Sequence, residues 1–267
     1  MPRSFSPETT SGLEGPPVEA GQVFLTEMFS GIQGEGPYVG VRQLFVRFGG
    51  CDLRCSWCDT PGSLVRRGPG RFETRPGSRE FIEVDNPLTL ERAVDLVKGL
   101  DPAGHHSVTF TGGEPLLQPE AIDRLQDEVR LSGGRTWLET HGGRVRELEA
   151  VISGTDYVSM DLKLPSSSGD FVPLAVHRRF LEVASTRETF AKVVVTPNTE
   201  VDEVVGAAEM VESVDPRVVL VLQQVTPFGR VKSSPLPRQM LELQDACMLA
   251  HPNTRVIPQT HKLTGQL

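Results

Sequence analysis

The chain has 267 residues, 38% of them hydrophobic, which is enough for a sizeable core; one domain over 21–267 is the expectation. A formal charge of −8 excludes a protein whose main task is neutralising nucleic-acid phosphates, and it favours a small-molecule substrate. No apolar run approaches the roughly 20 residues that span a bilayer, and Met1-Pro-Arg-Ser-Phe-Ser-Pro-Glu lacks a signal peptide's apolar stretch, so no membrane association and a cytoplasmic location are expected.

Residues 1–20 are rich in Pro, Ser, Thr, Gly and Glu without apolar periodicity, the composition of a disordered arm. From Gln22 the pattern changes. Residues 23–29 read as a strand, followed by a glycine-rich turn, and 43–48 read as a buried strand that runs into a group of cysteines. Residues 61–86, with Arg66, Arg67, Arg71, Arg75 and Arg79 among Gly and Pro, read as a solvated insertion loop. After Pro87 the chain alternates. Helices are predicted over 90–100, 119–131, 201–211 and 237–250, and strands over 107–111, 135–139, 157–161, 190–196, 218–224 and 254–257. Such a series gives an α/β fold with parallel strands and right-handed crossovers. Its natural closure is a complete or partial (β/α) barrel, with the cysteine loop after the first barrel strand; an open doubly wound sheet shares the same pattern.

The run Cys51-Asp-Leu-Arg-Cys55-Ser-Trp-Cys58 offers three thiolates to one metal centre and leaves a fourth position open, as a catalytic metal requires. By spacing alone, a zinc site closed by a remote His or Cys has the same signature. Cys247 lies in a helical pattern and reads as a core thiol. In a parallel βα fold, functional groups gather at the carboxyl ends of the strands. There the sequence places Thr111-Gly112-Gly113-Glu114-Pro115, Glu139-Thr140-His141-Gly142, Asp161-Leu-Lys163, Lys192 within its strand, and the Gln223-Gln224 pair. Gly112 and Gly113 lack Cβ and would let a ligand pack against the backbone, while Glu114 adds an anionic acceptor.

Cys-x3-Cys-x2-Cys with Trp57 before the last cysteine, followed by Gly-Gly-Glu-Pro, resembles the radical S-adenosylmethionine (SAM) superfamily. The resemblance implies that Cys51, Cys55 and Cys58 hold a [4Fe-4S] cluster whose unligated iron chelates SAM. It also implies that Gly112, Gly113 and Glu114 hold the methionine amino group, and that Trp57 packs near the adenine. Ile32-Gln-Gly-Glu-Gly36, Cys58-Asp-Thr60, Glu139-Thr-His-Gly and Gln259-Thr-His-Lys262 narrow this to a resemblance to the 7-carboxy-7-deazaguanine synthase family, over about residues 22–267. That family converts 6-carboxy-5,6,7,8-tetrahydropterin to 7-carboxy-7-deazaguanine with loss of ammonia, uses SAM catalytically and requires magnesium.

Carried onto this sequence, Thr60 would coordinate magnesium (Mg2+). Ile32, Gln33 and Gly34 would line the pterin, Glu35 would accept from its guanidine-like edge, and Arg47 would pair with its carboxylate. Thr111 and His261 would touch the substrate, and the Leu267 carboxylate would close the pocket. Thr140, Asp161, Lys163 and one of Gln223 and Gln224 would contact SAM. Asp161-Leu-Lys163 departs from the family's frequent Ser-Pro-Lys, and His141 stands where Asn is frequent. The resemblance further implies a flavodoxin- or ferredoxin-type electron donor and a homodimer. Two rivals share some features: a glycyl-radical activase shares the cluster spacing, and a non-enzymatic zinc or iron-sulfur module shares the thiols.

Overall fold

Along the central strands alternate residues such as Val158, Met160, Ala191, Val193, Leu220 and Leu222 are apolar and join one core, while those between them, among them Trp137, Ser159, Phe190, Lys192, Val221 and Gln223, face the opposite way. This alternation sets the direction in which the sheet curls. The computed structural model describes residues 15–265. In chain order the elements are β1 (Gln22–Val23), β2 (Leu25–Ile32), β3 (Arg42–Phe48), β4 (Gly70–Glu73), β5 (Phe81–Val84), β6 (Leu88–Thr89), α1 (Leu90–Gly99), β7 (Ser107–Gly112), α2 (Pro119–Leu131), β8 (Thr136–Thr140) and α3 (Val145–Val151). They continue with β9 (Tyr157–Asp161), α4 (Pro165–Ser168), α5 (Leu174–Ala184), β10 (Glu188–Val195), α6 (Val201–Val214), β11 (Val219–Gln224), α7 (Pro237–Ala250), β12 (Thr254–Val256) and α8 (Thr260–Thr264).

Ten strands form one sheet in the order β12-β11-β10-β9-β8-β7-β3-β2-β4-β5. The run from β3 through β7 to β12 is parallel throughout. β2 joins it antiparallel to β3, and β4 and β5 extend the sheet beyond β2. The order is linear, with β12 and β5 at its two ends, so the wall is an open, partial barrel. On its helix-covered side, Val158 and Met160 of β9, Ala191 and Val193 of β10, and Leu220 and Leu222 of β11 join one buried core. Cys247 is fully buried in that core, as its helical context implies.

The concave side has two levels. Trp137, Phe190 and Val221 form an apolar floor together with Tyr38 and Tyr157; the Tyr38 ring meets Trp137 edge-on at 5.2 Å. Two residues further along their strands stand Glu139, Ser159 and Lys192. The segment 33–38 that supplies Tyr38 leaves β2 at the amino end of the parallel strands and crosses beneath the cavity.

Three parts of the chain differ from the sequence reading. Residues 61–86 include the β4–β5 hairpin instead of forming only a solvated loop. Phe72 is fully buried, Arg71 stacks on the Phe81 ring at 4.2 Å, and the buried Glu73 accepts from the N–H groups of Ser30, Gly77 and Arg79. These arginines thus find partners within the fold, and a buried carboxylate replaces the side-chain ladder that a strand pattern normally shows. α3 and α5 are also additional. The buried stripe of α5 is His177, Phe180, Leu181 and Ala184, so a histidine at a core position disguises its period. Burial holds the His177 pKa down at about 3, and the neutral ring accepts from the Lys163 N–H and donates to the Gly142 carbonyl.

Candidate active site

The cysteine loop leaves β3 and is fixed from two sides by backbone bonds. Gly50 and Cys51 donate to the carbonyls of Ser63 and Leu64, and Ser56 donates to Ser168. Arg54 Nη1 closes the turn on the carbonyls of Cys51 and Leu53 at 2.7 and 2.9 Å, and the Arg54 N–H donates to Asp170. Cys51, Cys55 and Cys58 are free thiols that line a single cleft of about 1370 Å³, counting the space at its mouth. Burial pushes the Cys51 thiol well up and Cys55 to about 11. The protein alone therefore keeps them protonated, and a bound metal centre supplies the positive charge that three thiolates need. Among the described residues no three His, Cys, Asp or Glu side chains converge on a single ion.

The Gly-Gly-Glu-Pro segment packs tightly against the backbone that leads into the cysteine loop. Gly113 donates to the Phe48 carbonyl and Glu114 to Gly50. A Cβ on Gly112, whose φ is +130°, would lie 2.2 Å from the Phe48 carbonyl oxygen, and one on Gly113 would lie 2.2 Å from that of Gly50. Both glycines line the cleft, and the absence of their side chains lets the backbone of Phe48 and Gly50 pack directly against them. Gly113→Ala is therefore expected to push the loop out of place and to lower stability by about 1–3 kcal/mol. Iron content after reconstitution, together with thermal unfolding, would show whether cluster retention falls with it. Glu114 is fully buried and absent from the cleft wall. Its carboxylate accepts from Leu116 N–H, Thr140 Oγ1 and His141 N–H, so it ties β7 to the end of β8 instead of offering a free acceptor.

Beside it lies a buried cluster. Asp52 accepts from Arg144 at 2.5 Å and from His141 Nε2 at 2.9 Å. Burial raises the Asp52 pKa, but His141 and Arg144 outweigh it and hold the carboxyl well below the carboxylate range. For His141, burial lowers the pKa while Glu114 and Asp52 lift it above its ordinary value. The Gly143 N–H directed at Nδ1 opposes that lift, since only an unprotonated nitrogen accepts.

A second charged group rises from the floor of the cleft. Lys192 pairs with Glu35 and lies 3.2 Å from Asp161, whose other oxygen takes Lys163 at 2.6 Å. Burial pushes Asp161 upward, yet Lys163 and Lys192 bring it down to about 2; Lys192 also pulls Glu35 below its ordinary value. Glu35 further accepts from Gln223 and Gln259. Glu139, raised by burial and by Glu35, accepts from Thr111 and Gln33. Lys163 lies over the Trp57 ring at 4.3 Å.

The β11 register separates the two glutamines. Gln223 lines the cleft, whereas Gln224 turns away and donates to the Pro235 carbonyl, so Gln223 is the one of the pair that faces the cleft. Ile32, Gln33, Gly34, Glu35, Arg47, Thr60, Thr111, Thr140 and His261 all line the cleft with the cysteines. Arg47 Nε is held by Glu27 at 2.7 Å, and Lys262 bridges to Asp59 at 2.8 Å. Leu267 lies outside the described residues. Sequence reasoning gave no role to Asp52, Arg144 or Glu139. Lys192, a charge in the middle of the apolar run Phe190-Ala-Lys-Val-Val-Val195, carried a visible signal.

The Radical SAM superfamily model matches residues 45–196. A protein of Geobacter sulfurreducens, 7-carboxy-7-deazaguanine synthase, is 41% identical over 246 residues, covering 91% of this chain and 97% of its own length. The chain belongs to the 7-carboxy-7-deazaguanine synthase family. Another member, from Methanothermobacter thermautotrophicus, is 36% identical over 262 residues, covering 90% of this chain and 96% of its own. The crystal structure of QueE from Escherichia coli shares the fold with a TM-score of 0.56 at 23% identity, over 90% of this chain and 95% of that one. As a radical SAM enzyme, a member of this family uses a [4Fe-4S] cluster with SAM and acts on a small molecule. The residues present fit that pair of groups: three thiols line one cleft, and Trp57 Nε1 and Gln223 Oε1, both buried on its wall, lack a protein partner. Among the described residues no helix is long and apolar enough to cross a membrane.

Proposed function

We propose that the cleft converts 6-carboxy-5,6,7,8-tetrahydropterin to 7-carboxy-7-deazaguanine, a carbon–nitrogen lyase reaction of deazapurine biosynthesis. The observation that carries this is the meeting, in one cleft, of the three-thiol loop with the segments around Gln33 and Gln259 that distinguish this family within the superfamily. Substrate and product differ by one ammonia, so the reaction has no net oxidation, and SAM is regenerated.

The cluster, which Cys51, Cys55 and Cys58 would hold, would together with SAM supply hydrogen-abstraction chemistry at C6 of the pterin. The protein's own residues orient and shield. Arg47 offers a planar fork to the substrate carboxylate, with Glu27 fixing its Nε edge. Glu35 receives the guanidine-like edge while Lys192 keeps it ionised. Asp161 and Gln223 present acceptors and Thr140 a hydroxyl to the SAM ribose and amino groups. The apolar floor below Lys192 keeps water from the reacting carbon.

Thr60, whose Oγ1 stands 4.0 Å from Cys58 Sγ, is the position for magnesium, completed by substrate oxygens and water. Anaerobic turnover of reconstituted protein with the pterin, SAM, magnesium and a reductant should release product and ammonia one to one without stoichiometric loss of SAM. Thr60→Ala should shift half-maximal activation to higher magnesium. SAM cleavage without that product would discard the substrate assignment, and unchanged magnesium dependence would remove Thr60 from this role.

A further inference from the structure

The loop that follows β11, beyond the Pro235 carbonyl that accepts from Gln224, has no role assigned so far, and its composition is unlike the rest of the chain. From Gln223 to Arg238 there is no acidic residue, although the chain as a whole has 35 Asp and Glu against 27 Lys and Arg. Phe228 and Val231 form an antiparallel bridge that makes the loop a tight tip around Gly229. Phe228 is 43% exposed, and Arg230 and Lys232 are exposed beside it. The tip is seated on the cysteine loop. Arg230 Nη2 donates to the Arg54 carbonyl at 3.0 Å, and a Cβ at Gly229 would lie 3.7 Å from the Ser56 carbonyl oxygen. The two residues it touches flank Cys55.

We propose that this tip is the docking surface for a small acidic electron-carrier protein, which passes one electron to the cluster held by the Cys55 loop. The inference rests on the family reading given above. An exposed aromatic ring within a cationic rim is the composition of a transient interface core, and a local positive surface on a net negative chain steers an anionic partner to one place. In the step itself the carrier's reduced cofactor is oxidised by one electron and the cluster is reduced by one. No bond is made or broken in the docked pair.

The test uses reconstituted holoenzyme and reduced flavodoxin as the acidic carrier, with cluster bleaching followed by stopped flow and flavodoxin affinity measured by titration. For the unaltered chain the bleaching rate should fall with ionic strength. Arg230→Glu with Lys232→Glu should slow flavodoxin-driven bleaching at least about tenfold, the scale of electrostatic steering, and weaken the titrated affinity. The rate with dithionite, which needs no docking surface, should stay the same. Phe228→Ser, which leaves the charges in place, should weaken flavodoxin binding while keeping the dithionite rate. An unchanged flavodoxin rate in both variants would overturn the proposal. So would an equal loss with both reductants, which would make the tip only a support for the cluster loop, or tight tRNA binding that the double variant abolishes while flavodoxin binding persists. Product analysis is separate: bleaching that follows the expected pattern without formation of 7-carboxy-7-deazaguanine would overturn the substrate assignment and leave the docking surface supported.

Discussion

Arg144→Met is expected to destabilise the folded chain by roughly 3–5 kcal/mol, the cost of leaving a buried carboxylate without its main cation. Asp52 is 4% exposed on its side chain, and Arg144 reaches it through Nε and a terminal nitrogen. Without the guanidinium, His141 is the cation left facing that carboxylate among the described residues, and Asp52 directly follows Cys51 in the cysteine loop. For a domain with about 5–15 kcal/mol of total stability, the loss is a large fraction. Chemical denaturation read by circular dichroism gives the magnitude, and iron content after reconstitution should fall in parallel. Asp52→Asn combined with Arg144→Met removes both charges and should recover part of the stability. A single variant as stable as the unaltered chain would show that Asp52 is satisfied in some other way.

Lys192→Met is expected to act on catalysis more than on folding. Lys192 is the cation shared by Glu35 and Asp161, and its own pKa is lifted well above its ordinary value because these carboxylates outweigh the effect of burial. Glu35 and Asp161 are held below their ordinary values in the folded chain. The stability each contributes is present above its unfolded pKa and is lost as pH falls through the folded one, about 2 for Asp161. Removing Lys192 raises both folded values, so the acid limb of the pH–activity profile should move to higher pH. At neutral pH, kcat/KM should fall by about a hundredfold, near 2.7 kcal/mol. A profile with an unmoved acid limb would show that Lys192 does not set the charge of the cleft.

The order of the strands from β7 to β12, with α2, α6 and α7 between them, was legible because each strand is short, largely apolar and followed by a polar or glycine-rich end. Alternation along the strands put Asp161 and Lys192 on the concave side. The hairpin of β4 and β5 was not legible, because its arginines stack and pair within the fold in a way no periodicity records. Nor could the Asp52–Arg144 pair be read, since the partners lie 92 residues apart and meet only when β8 stands beside β7. Glu114 shows a third limit. Its place in the motif was plain, but whether its carboxylate faces the cleft or the interior depends on one backbone turn, and it faces the interior.

The segment beneath the cleft bears on how the enzyme is made. Gly34 accepts from the backbone and side chain of Thr260, and Glu35 accepts from Gln259, contacts separated by 226 and 224 residues. On the ribosome, β2 to β11 and the cysteine loop are therefore made while the cleft still lacks a wall. Closure of that wall is a late, long-range event with a high entropic threshold. A truncated translation product would carry the thiols in an open site, able to recruit iron yet unable to shield a radical. Synthesis from the amino end thus places the ability to assemble a cluster before the ability to use it.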